Sequence, residues 1–467
     1  MTTLIPKYDQ GATGAVNRPI NLKLSETVSV KDFGAVGNGT TDDSAAITAA
    51  HATGKLVYYP SGTYLVTTNN ITIPGGGMIG SGTYDSSILS NDTSSNDIFN
   101  YTGQTEGLFQ NIQFQHSGIK TAGYCLTFTG SGTGEVSGIV ITGCIFNSFP
   151  ACINFKRAAL WSITSCNFYN FTAIGINVDN QNTGDSGDSS IVGCILIGSG
   201  TGATAINQVS SGGLKIIGNK FNNGGIGYLL NLGAVVGGVG TSVLIINGNS
   251  FENHSFSNIQ LQRQGGVTTT FDSVVINANE FYNASAGQAA IYSTDSSGFL
   301  SNVLISNNVI KINAAGYGML LNYITRLLVS DNLIQGSTGA IVGISSGSSN
   351  VSSKLGINAI YGFTQSIAAT TNTAIVKSDV QTGTATVTTS SVDGSLYYGT
   401  TTITFATAFT TGISISVLDG FVSISNATNG AISCFVVSIT NTQMVIGAIG
   451  FTSSGAVGVN WKVTGVI

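Results

Sequence analysis

The chain of 467 residues is poor in charge. Only 8% of its residues are Asp, Glu, Lys or Arg, whereas an ordinary soluble domain has about 25%. Disordered chains are rich in charge and poor in apolar residues, so a composition with 42% hydrophobic residues excludes that class. The net charge of −5 also argues against a surface that neutralises phosphates, and nucleic acid is not expected as a partner.

Long apolar runs are also missing. A membrane-spanning helix needs about 18 or more apolar residues in succession, and the nearest stretch, Ile226 to Gly240, is short and rich in glycine. Residues Met1 to Lys7 contain no apolar segment suited to a signal peptide. We therefore expect synthesis in the cytosol and no insertion into a membrane.

One short motif recurs through the middle of the chain. It consists of an apolar residue, two small or polar residues, Asn or Cys, one variable residue and a large apolar residue, as in Ile246 to Phe251. Successive copies are 22 to 30 residues apart, and such a repeat with variable spacing predicts stacked units whose loops differ in length. The central positions are Cys144, Cys166, Cys194, Asn219, Asn249, Asn279, Asn308, Asn332 and Asn358.

Each copy is typical of a short strand, and a second strand follows about 8 to 12 residues after the Asn or Cys, as at Tyr228 to Leu232. Two or three strands in this period fit one coil of a parallel β-helix. A leucine-rich repeat has a similar period, but its leucine spacing is missing. In a stack of coils the Asn amides can hydrogen-bond from coil to coil, and the three Cys are expected to be buried thiols. The cysteines show no zinc spacing, and neither a metal site nor a cofactor is expected.

The segments on either side of the repeat complete the predicted organisation. Residues 42–50 are the best helix candidate, with an acidic start, and residues 56–66 are typical of two strands around a turn. After about residue 370 the alternation of Thr and Val favours an antiparallel sheet. We predict four parts: a leader at 1–28, an initial and capping segment at 29–135, β-helix coils at 136–372, and a β-sandwich at 378–467.

The stretch Val30 to Ile47, continued by Tyr58 to Tyr64 and Ile79 to Gly82, resembles the opening motif of pectate-lyase-like right-handed β-helices. Residues 6–28 look like the short leaders of bacteriophage tailspikes and tail fibres. The resemblance implies a homotrimer in the virion that binds bacterial surface polysaccharide and often cleaves it. It also implies that residues 1–28 attach to a phage tail or baseplate adaptor protein.

The C-terminal region has a second likeness. Residues 403–463 look like the H-type lectin-like sandwiches at phage fibre tips, which implies trimerisation and, in some members, sugar binding. The calcium cluster of pectate lyases cannot be mapped onto this chain, so calcium-dependent cleavage is not expected.

Glycoside hydrolysis needs two carboxylates about 5 to 9.5 Å apart, and adjacent coils of a β-helix place equivalent positions within that range. One group of candidates combines Arg263 and Asp272 with Asp295 beside the longest loops. A second combines Glu252 and His254 with Glu280 and Tyr282 of the next coil, and a third lies in the polar loop at 179–188. Every group also has a structural interpretation, as an exposed ion pair or a solvated turn. The predicted catalytic residues are Asp272, Asp295 and Glu252.

Sugar rings bind to flat apolar side chains with polar edges. On this ground and by position, the predicted substrate-binding residues are Arg263, Tyr282, Tyr292, Trp161 and His254. The first functional hypothesis is a tailspike that depolymerises a capsule or O-antigen, by hydrolysis rather than by a lyase reaction. The alternative is a tail fibre without activity, in which the β-helix is a spacer and the C-terminal domain binds the glycan. A bacterial glycan-degrading enzyme is a third possibility.

Overall fold

The computed structural model divides into two compact units, Met1–Ser353 with Asn358–Thr373, and Lys354–Ile357 with Ala374–Ile467. No helix among its described residues is long and apolar enough to cross a membrane. The described residues are 6–103, 105–118, 120–130, 134–179, 188–209, 212–233, 243–264, 267, 270–283, 287–293, 299–313, 315–337, 339–347, 349–369, 373–375, 378–389, 391–393, 396–404, 423–427, 431–439, 443–450 and 455–466.

The larger unit winds through three parallel sheets, and each coil adds one strand to each sheet in turn. Sheet 1 contains Val28–Ser29, Leu56–Tyr59, Gly76–Gly80, Gly107–Gln110, Val140–Thr142, Ser162–Thr164, Ser189–Val192, Leu214–Ile217, Leu244–Asn247, Phe271–Asn277, Leu300–Ser306 and Ile324–Ser330. Two further strands, Ser353–Leu355 and Thr373–Ile375, include residues of both units.

Sheet 2 follows sheet 1 in every coil. It contains Asn38–Asp42, Gly62–Val66, Ser86–Ser90, Gln113–His116, Ile145–Asn147, Asn167–Phe171, Ile195–Gly198, Lys220–Asn222, Ser250–Glu252, Glu280–Asn283, Val309–Ile312, Leu333–Gly336 and Ala359–Tyr361.

Sheet 3 closes each coil. It contains Ile71–Ile73, Phe99–Tyr101, Tyr124–Thr129, Ala151–Lys156, Ile174–Asp179, Thr204–Gln208, Ile226–Leu232, Ile259–Arg263, Ala289–Ser293, Tyr317–Leu321, Val342–Ser346 and Gln365–Ala369. The predicted all-β, right-handed parallel β-helix is confirmed. The strands between residues 28 and 135 pair in the same three sheets as the later ones.

The interior is formed by columns of identical or similar side chains, because strands paired in register place equivalent residues above one another. In sheet 2 the buried phenylalanines stack face to face, with 4.9 Å between the ring centroids of Phe146 and Phe168 and 4.4 Å between those of Phe221 and Phe251. The large apolar residue that ends each copy of the motif thus fills the core beneath sheet 2.

The predicted Asn ladder lies at the turn between sheets 1 and 2. The side-chain amide of Asn249 donates to Oδ1 of Asn279 at 2.9 Å and to the carbonyl of Ile216 at 2.9 Å. The backbone N–H of Asn249 donates to the same Oδ1 at 2.9 Å. Where the motif has cysteine, the thiols are free and buried, and the N–H of Cys144 donates to Sγ of Cys166 at 3.4 Å.

The residue before each ladder position from Cys144 to Asn332 has a left-handed backbone. Gly248 has φ 66°, and the equivalent residue of the next coil, Ala278, has φ 55°. For a residue with a Cβ this conformation costs about 1 to 2 kcal/mol. The ladder hydrogen bonds offset that cost, and they hold every coil in the same sharp turn.

The start of the β-helix contains the short helices. These are Ile20–Leu24, the 3₁₀ helix Val30–Phe33, and Ser44–His51 at the position where a helix was predicted. Asp42 accepts from the N–H of Ser44 at 3.0 Å, whereas Asp43 accepts from the N–H groups of Val36 and Gly37. The second acidic residue therefore ties the preceding turn rather than the helix start. The remaining short strands pair as Lys7–Tyr8 with Arg18–Pro19 and Val136–Ser137 with Ala158–Ala159.

The smaller unit contains antiparallel strands, as the Thr and Val alternation predicts. Gly455–Val466 pairs with Ser378–Thr389 and with Ser423–Ala427. Leu396–Thr404 pairs with Ser391–Asp393 and Gln443–Gly450, and the latter pairs with Ala431–Ile439. Their arrangement as a sandwich and the trimer both stay predictions.

Candidate functional site

A cleft on the outer face of sheet 2 brings two carboxylates together. It has a volume of about 270 Å³ and is lined by Ser250, Glu252, Asn253, Glu280 and Tyr282. Side chains alternate between the two faces of a strand, and the buried residue of each strand here is the core phenylalanine. The residues on either side of that phenylalanine must therefore point outward, and they line the cleft.

The register of the strands sets the spacing of the two acids. Ser250 pairs with Glu280, and Glu252 pairs with Tyr282, so Glu252 and Glu280 are diagonal neighbours on adjacent strands. With strands about 4.8 Å apart and about 3.3 Å per residue along each strand, their Cα atoms lie roughly 8 Å apart. Two glutamate side chains that start from Cα atoms at this spacing and face the same cleft can bring their carboxyl groups within the range of about 5 to 9.5 Å that a glycosidase pair requires.

The two glutamates differ in their surroundings. Glu252 is half-buried and lies 3.2 Å from Nζ of Lys220. It also accepts hydrogen bonds from Nδ2 of Asn222 and Oγ of Ser250, both at 3.2 Å. Glu280 is exposed. One carboxylate is thus held in place beside a cation, and the other faces solvent across the cleft.

Tyr282 lies next to the acids, as the sequence grouping predicts. Its side chain is 38% exposed, and its hydroxyl accepts a hydrogen bond from Nδ2 of Asn313. An aromatic ring that is open on one side and anchored at its hydroxyl is suited to pack against a sugar ring.

Asp272 lies elsewhere, at the beginning of the sheet 1 strand Phe271–Asn277. Its carboxylate accepts hydrogen bonds from Oγ of Ser301 at 2.5 Å and from Nδ2 of Asn302. The bond from Ser301 is the main cause that lowers the pKa of Asp272, with contributions from Asn302 and Arg326. The structure therefore does not bring Asp272 and Glu252 together, because they belong to different sheets. Asp295 lies outside the described residues.

Arg263 and Tyr292 lie in sheet 3 and not at the cleft. The guanidinium carbon of Arg263 is 5.8 Å from the centroid of the Phe299 ring. Tyr292 is half-buried and pairs in register with Gln260 and Leu320. Arg263 ends a strand of sheet 3, and Asp272 lies near the start of the next strand of sheet 1. Both residues therefore lie at the corner between sheets 3 and 1 and not on the outer face of sheet 2.

Trp161 and His254 were expected to face substrate, but both are buried. Trp161 is 1% exposed and stacks on Phe155 with ring centroids 3.9 Å apart. His254 is fully buried, with Nδ1 3.1 Å from Nδ2 of Asn258, and burial lowers its pKa to about 3. Their roles in this chain are those of core residues, since neither has a surface that a sugar could reach.

Sequence reasoning did not single out Lys220 and did not choose Glu280 as catalytic. The signal was present, however, because residues one and three positions after each ladder Asn form the outer face of sheet 2. Lys220 and Glu280 follow their Asn by one position, and Glu252 and Tyr282 follow theirs by three. In the parts of the chain that the structure describes, no group of three or more His, Cys, Asp or Glu is placed to hold a metal ion.

Comparison with known proteins supports the fold and the phage resemblance. Residues 27–186 match the family model for rhamnogalacturonase A/epimerase, pectate lyase-like. A segment of 60 residues is 45% identical to the tail spike protein of an Escherichia phage. The match covers 13% of this chain and only 7% of that protein.

Solved structures share the architecture. The A-module of mannuronan C-5 epimerase AlgE6 from Azotobacter vinelandii aligns with a TM-score of 0.57 at 17% identity, over 75% of this chain and 100% of the module. A mutant tailspike protein of E. coli bacteriophage HK620 in complex with a pentasaccharide aligns with a TM-score of 0.56 at 12% identity, over 99% of this chain and 97% of that chain. At such identities the likeness concerns the fold. Together these matches confirm the resemblance drawn from the sequence: the chain is similar to a phage tail spike protein over 60 residues, and it is built on a right-handed parallel β-helix similar to the pectate-lyase-like folds.

Proposed function

We propose that this chain is a phage tailspike that binds a bacterial surface polysaccharide and cleaves it by hydrolysis in the sheet 2 cleft. The observation that carries the proposal is the diagonal pair of Glu252 and Glu280 in a cleft that also exposes the ring of Tyr282. The tailspike relatives, one of which was solved with a pentasaccharide, support the choice of substrate class.

The surroundings of the two acids suggest their roles. Glu252 is oriented by Lys220, Asn222 and Ser250, so it is suited to act as the carboxylate that activates water. Glu280, which lies in the same cleft, supplies the second carboxyl group that the reaction needs.

The assembly is part of the same proposal. The chain forms a homotrimer in which residues 378–467 build a lectin-like sandwich, and residues 1–28 attach to a tail or baseplate protein of the virion. Asp272, with Arg263 and Tyr292, forms a second candidate site at the corner between sheets 3 and 1, and Asp295 stays a predicted catalytic residue outside the described residues.

The non-enzymatic alternative also has an observation in its favour. Glu252 already has an ion pair and two hydrogen-bond donors, as a purely structural glutamate would. In that case sheet 2 is only a surface of a spacer, and the C-terminal unit binds the host glycan.

One experiment separates these possibilities. The purified chain is incubated with capsular and O-antigen polysaccharides from a panel of strains, and the products are sized and their end groups determined. We expect discrete oligosaccharides from the wild type, a loss of about 10²-fold or more in rate for Glu252→Gln and Glu280→Gln, and wild-type activity for Asp272→Asn, which tests the second candidate site. Loss of activity in Asp272→Asn alone would move the reaction to the second site. Binding without any cleavage would establish the adhesin.

A further inference from the structure

Tyrosines recur along one outward column of sheet 2. Tyr169, Glu252, Tyr282 and Tyr361 belong to one column of paired positions that runs across the strands of sheet 2. Each strand between them adds one residue to this column. Tyr169 lies four strands from Tyr282, and Tyr361 lies three strands beyond it, which corresponds to about 19 Å and about 14 Å at a strand spacing of about 4.8 Å. The acidic cleft is therefore flanked on both sides by aromatic side chains in line with it.

A second tyrosine extends the first of these positions. Tyr84 is 76% exposed and belongs to the turn between sheets 1 and 2. This turn reaches across the neighbouring coil, because Oγ1 of Thr83 donates to the carbonyl of Gly143 at 2.7 Å. Tyr84 comes close enough to Tyr169 to contribute, after burial, to the raised pKa of that residue. The two tyrosines therefore lie near each other on the surface of the first half of sheet 2, and they are called the Tyr84 and Tyr169 cluster below.

The far end of the column has its own concave surface. Tyr361 is 51% exposed, and the turn that follows it lines a depression of about 610 Å³ together with the turn of the preceding coil. Glycines form much of its floor, and a Cβ on Gly362 would meet the carbonyl oxygen of Gly336 at 2.1 Å. Larger residues are excluded there by the backbone itself, so the depression is a property of the fold.

The residues between the tyrosines are mainly hydrogen-bonding ones. Asn222, Glu252, Lys311 and Gln335 continue the column, and their amide, carboxylate and ammonium groups can bond the hydroxyls of a sugar chain. An outward column of sheet 1 contrasts with it. That column holds Ile245, Val275, Leu304 and Leu328 in consecutive coils.

We infer that the outer face of sheet 2 is an extended glycan-binding track, which runs along the β-helix from the Tyr84 and Tyr169 cluster through the acidic cleft to Tyr361. The inference rests on the proposed function and adds the direction of the bound chain and its distal contacts. A polysaccharide on this track is cut in its interior, because sugar residues are held on both sides of Glu252 and Glu280. The distal tyrosines strengthen the binding of long chains only.

The test uses the full chain with Glu280→Gln, so that the ligand is bound and not cleaved. The probe is the polysaccharide that the wild type binds in the panel of strains described above, together with long and short fragments made from it by partial acid hydrolysis. Dissociation constants are measured by calorimetry for Tyr84→Ala and Tyr361→Ala. Tyr317→Ala serves as the matched control, because this half-buried tyrosine belongs to sheet 3.

We expect each distal variant to bind the long fragments about tenfold more weakly and the short fragments as tightly as the parent, with Tyr317→Ala unchanged throughout. Unchanged melting temperatures will show that these exposed positions do not affect folding. If long fragments bind to the distal variants as tightly as to the parent, the track is wrong while the proposed function stands. If the wild type binds none of the polysaccharides, the proposed function fails, and the track fails with it.

Discussion

Replacement of Asn279 tests whether the ladder holds the coils together. Asn279 is 2% exposed. Its amide donates to the carbonyl of Ile246 at 2.8 Å and to Oδ1 of Asn308 at 3.0 Å, and its own Oδ1 accepts from the backbone N–H of Asn249 at 2.9 Å. Asn279→Ala leaves at least the N–H of Asn249 and the carbonyl of Ile246 without this partner.

The expected cost follows from these two groups. A buried polar group that loses its partner costs about 1 to 3 kcal/mol, so Asn279→Ala should lower the free energy of unfolding by about 2 to 6 kcal/mol. The chain itself offers the matched control, since cysteine occupies the equivalent position in three coils. In Asn279→Cys the sulfur can accept weakly, as Sγ of Cys166 accepts from the N–H of Cys144, and the loss should be about half as large.

The assay must resolve single coils, because stacked repeats need not unfold in one step. Hydrogen exchange read by mass spectrometry is therefore combined with thermal unfolding. We expect faster exchange in peptides from 244–283 for Asn279→Ala, a smaller effect for Asn279→Cys, and no change in peptides from 140–171. The ladder does not hold the coils together if alanine and cysteine destabilise the chain equally, or if exchange at 244–283 matches the wild type in both variants.

Three further predictions concern buried groups. Burial lowers the pKa of His51 and His254 from 6.5 to about 3. The stability that each neutral histidine provides is therefore complete above pH 6.5. As the pH falls from 6.5 towards 3, the free energy of unfolding declines by about 1.4 kcal/mol per pH unit for each group. Melting curves should therefore show a smaller loss of stability on acidification in His254→Gln than in the wild type. Lys120 is fully buried and donates to Asp92 at 2.8 Å, so Lys120→Met should cost about 3 to 5 kcal/mol, and adding Asp92→Asn should recover part of the loss in denaturant titrations. Trp161→Ala should lower the free energy of unfolding by about 3 to 5 kcal/mol without changing the dissociation constant for glycan. Tyr282→Ala should weaken glycan binding and leave the free energy of unfolding nearly unchanged. A weaker glycan complex in Trp161→Ala would contradict its assignment to the core.

The parallel β-helix could be predicted from the sequence because the recurring motif is stable only when its copies are stacked on one another. An Asn between apolar residues must be buried, and a buried amide needs partners that only an equivalent Asn in the next coil supplies in every repeat. The same motif includes the core phenylalanine two positions after the Asn. Because side chains alternate along a strand, the residues one and three positions after the Asn must lie on the outer face of sheet 2. For this reason the spacing of the motif is enough to place Tyr282 and Glu252 correctly with respect to each other.

The prediction of Trp161 and His254 as sugar contacts failed because residue type does not report burial. An aromatic or imidazole side chain suits a ligand platform and a core equally well, and only the packing of neighbouring elements decides between them. Trp161 is enclosed because it stacks on Phe155 of sheet 3. Trp161 itself precedes the sheet 1 strand Ser162–Thr164, and no periodicity of that strand shows the contact.

The sequence by itself determined the parallel β-helix, the ladder and the phage resemblance, since these depend on local repeats and short motifs. Only the tertiary structure decided which acids share a cleft. The loops that follow sheet 2 and sheet 3 vary in length from coil to coil. The number of residues after the ladder Asn therefore predicts the position of a side chain only for the first few residues. For this reason the positions of Arg263, Asp272 and Tyr292 could not be predicted. Glu252 and Glu280 meet because both lie within three residues of the ladder, where hydrogen bonds between coils keep the register the same in every turn.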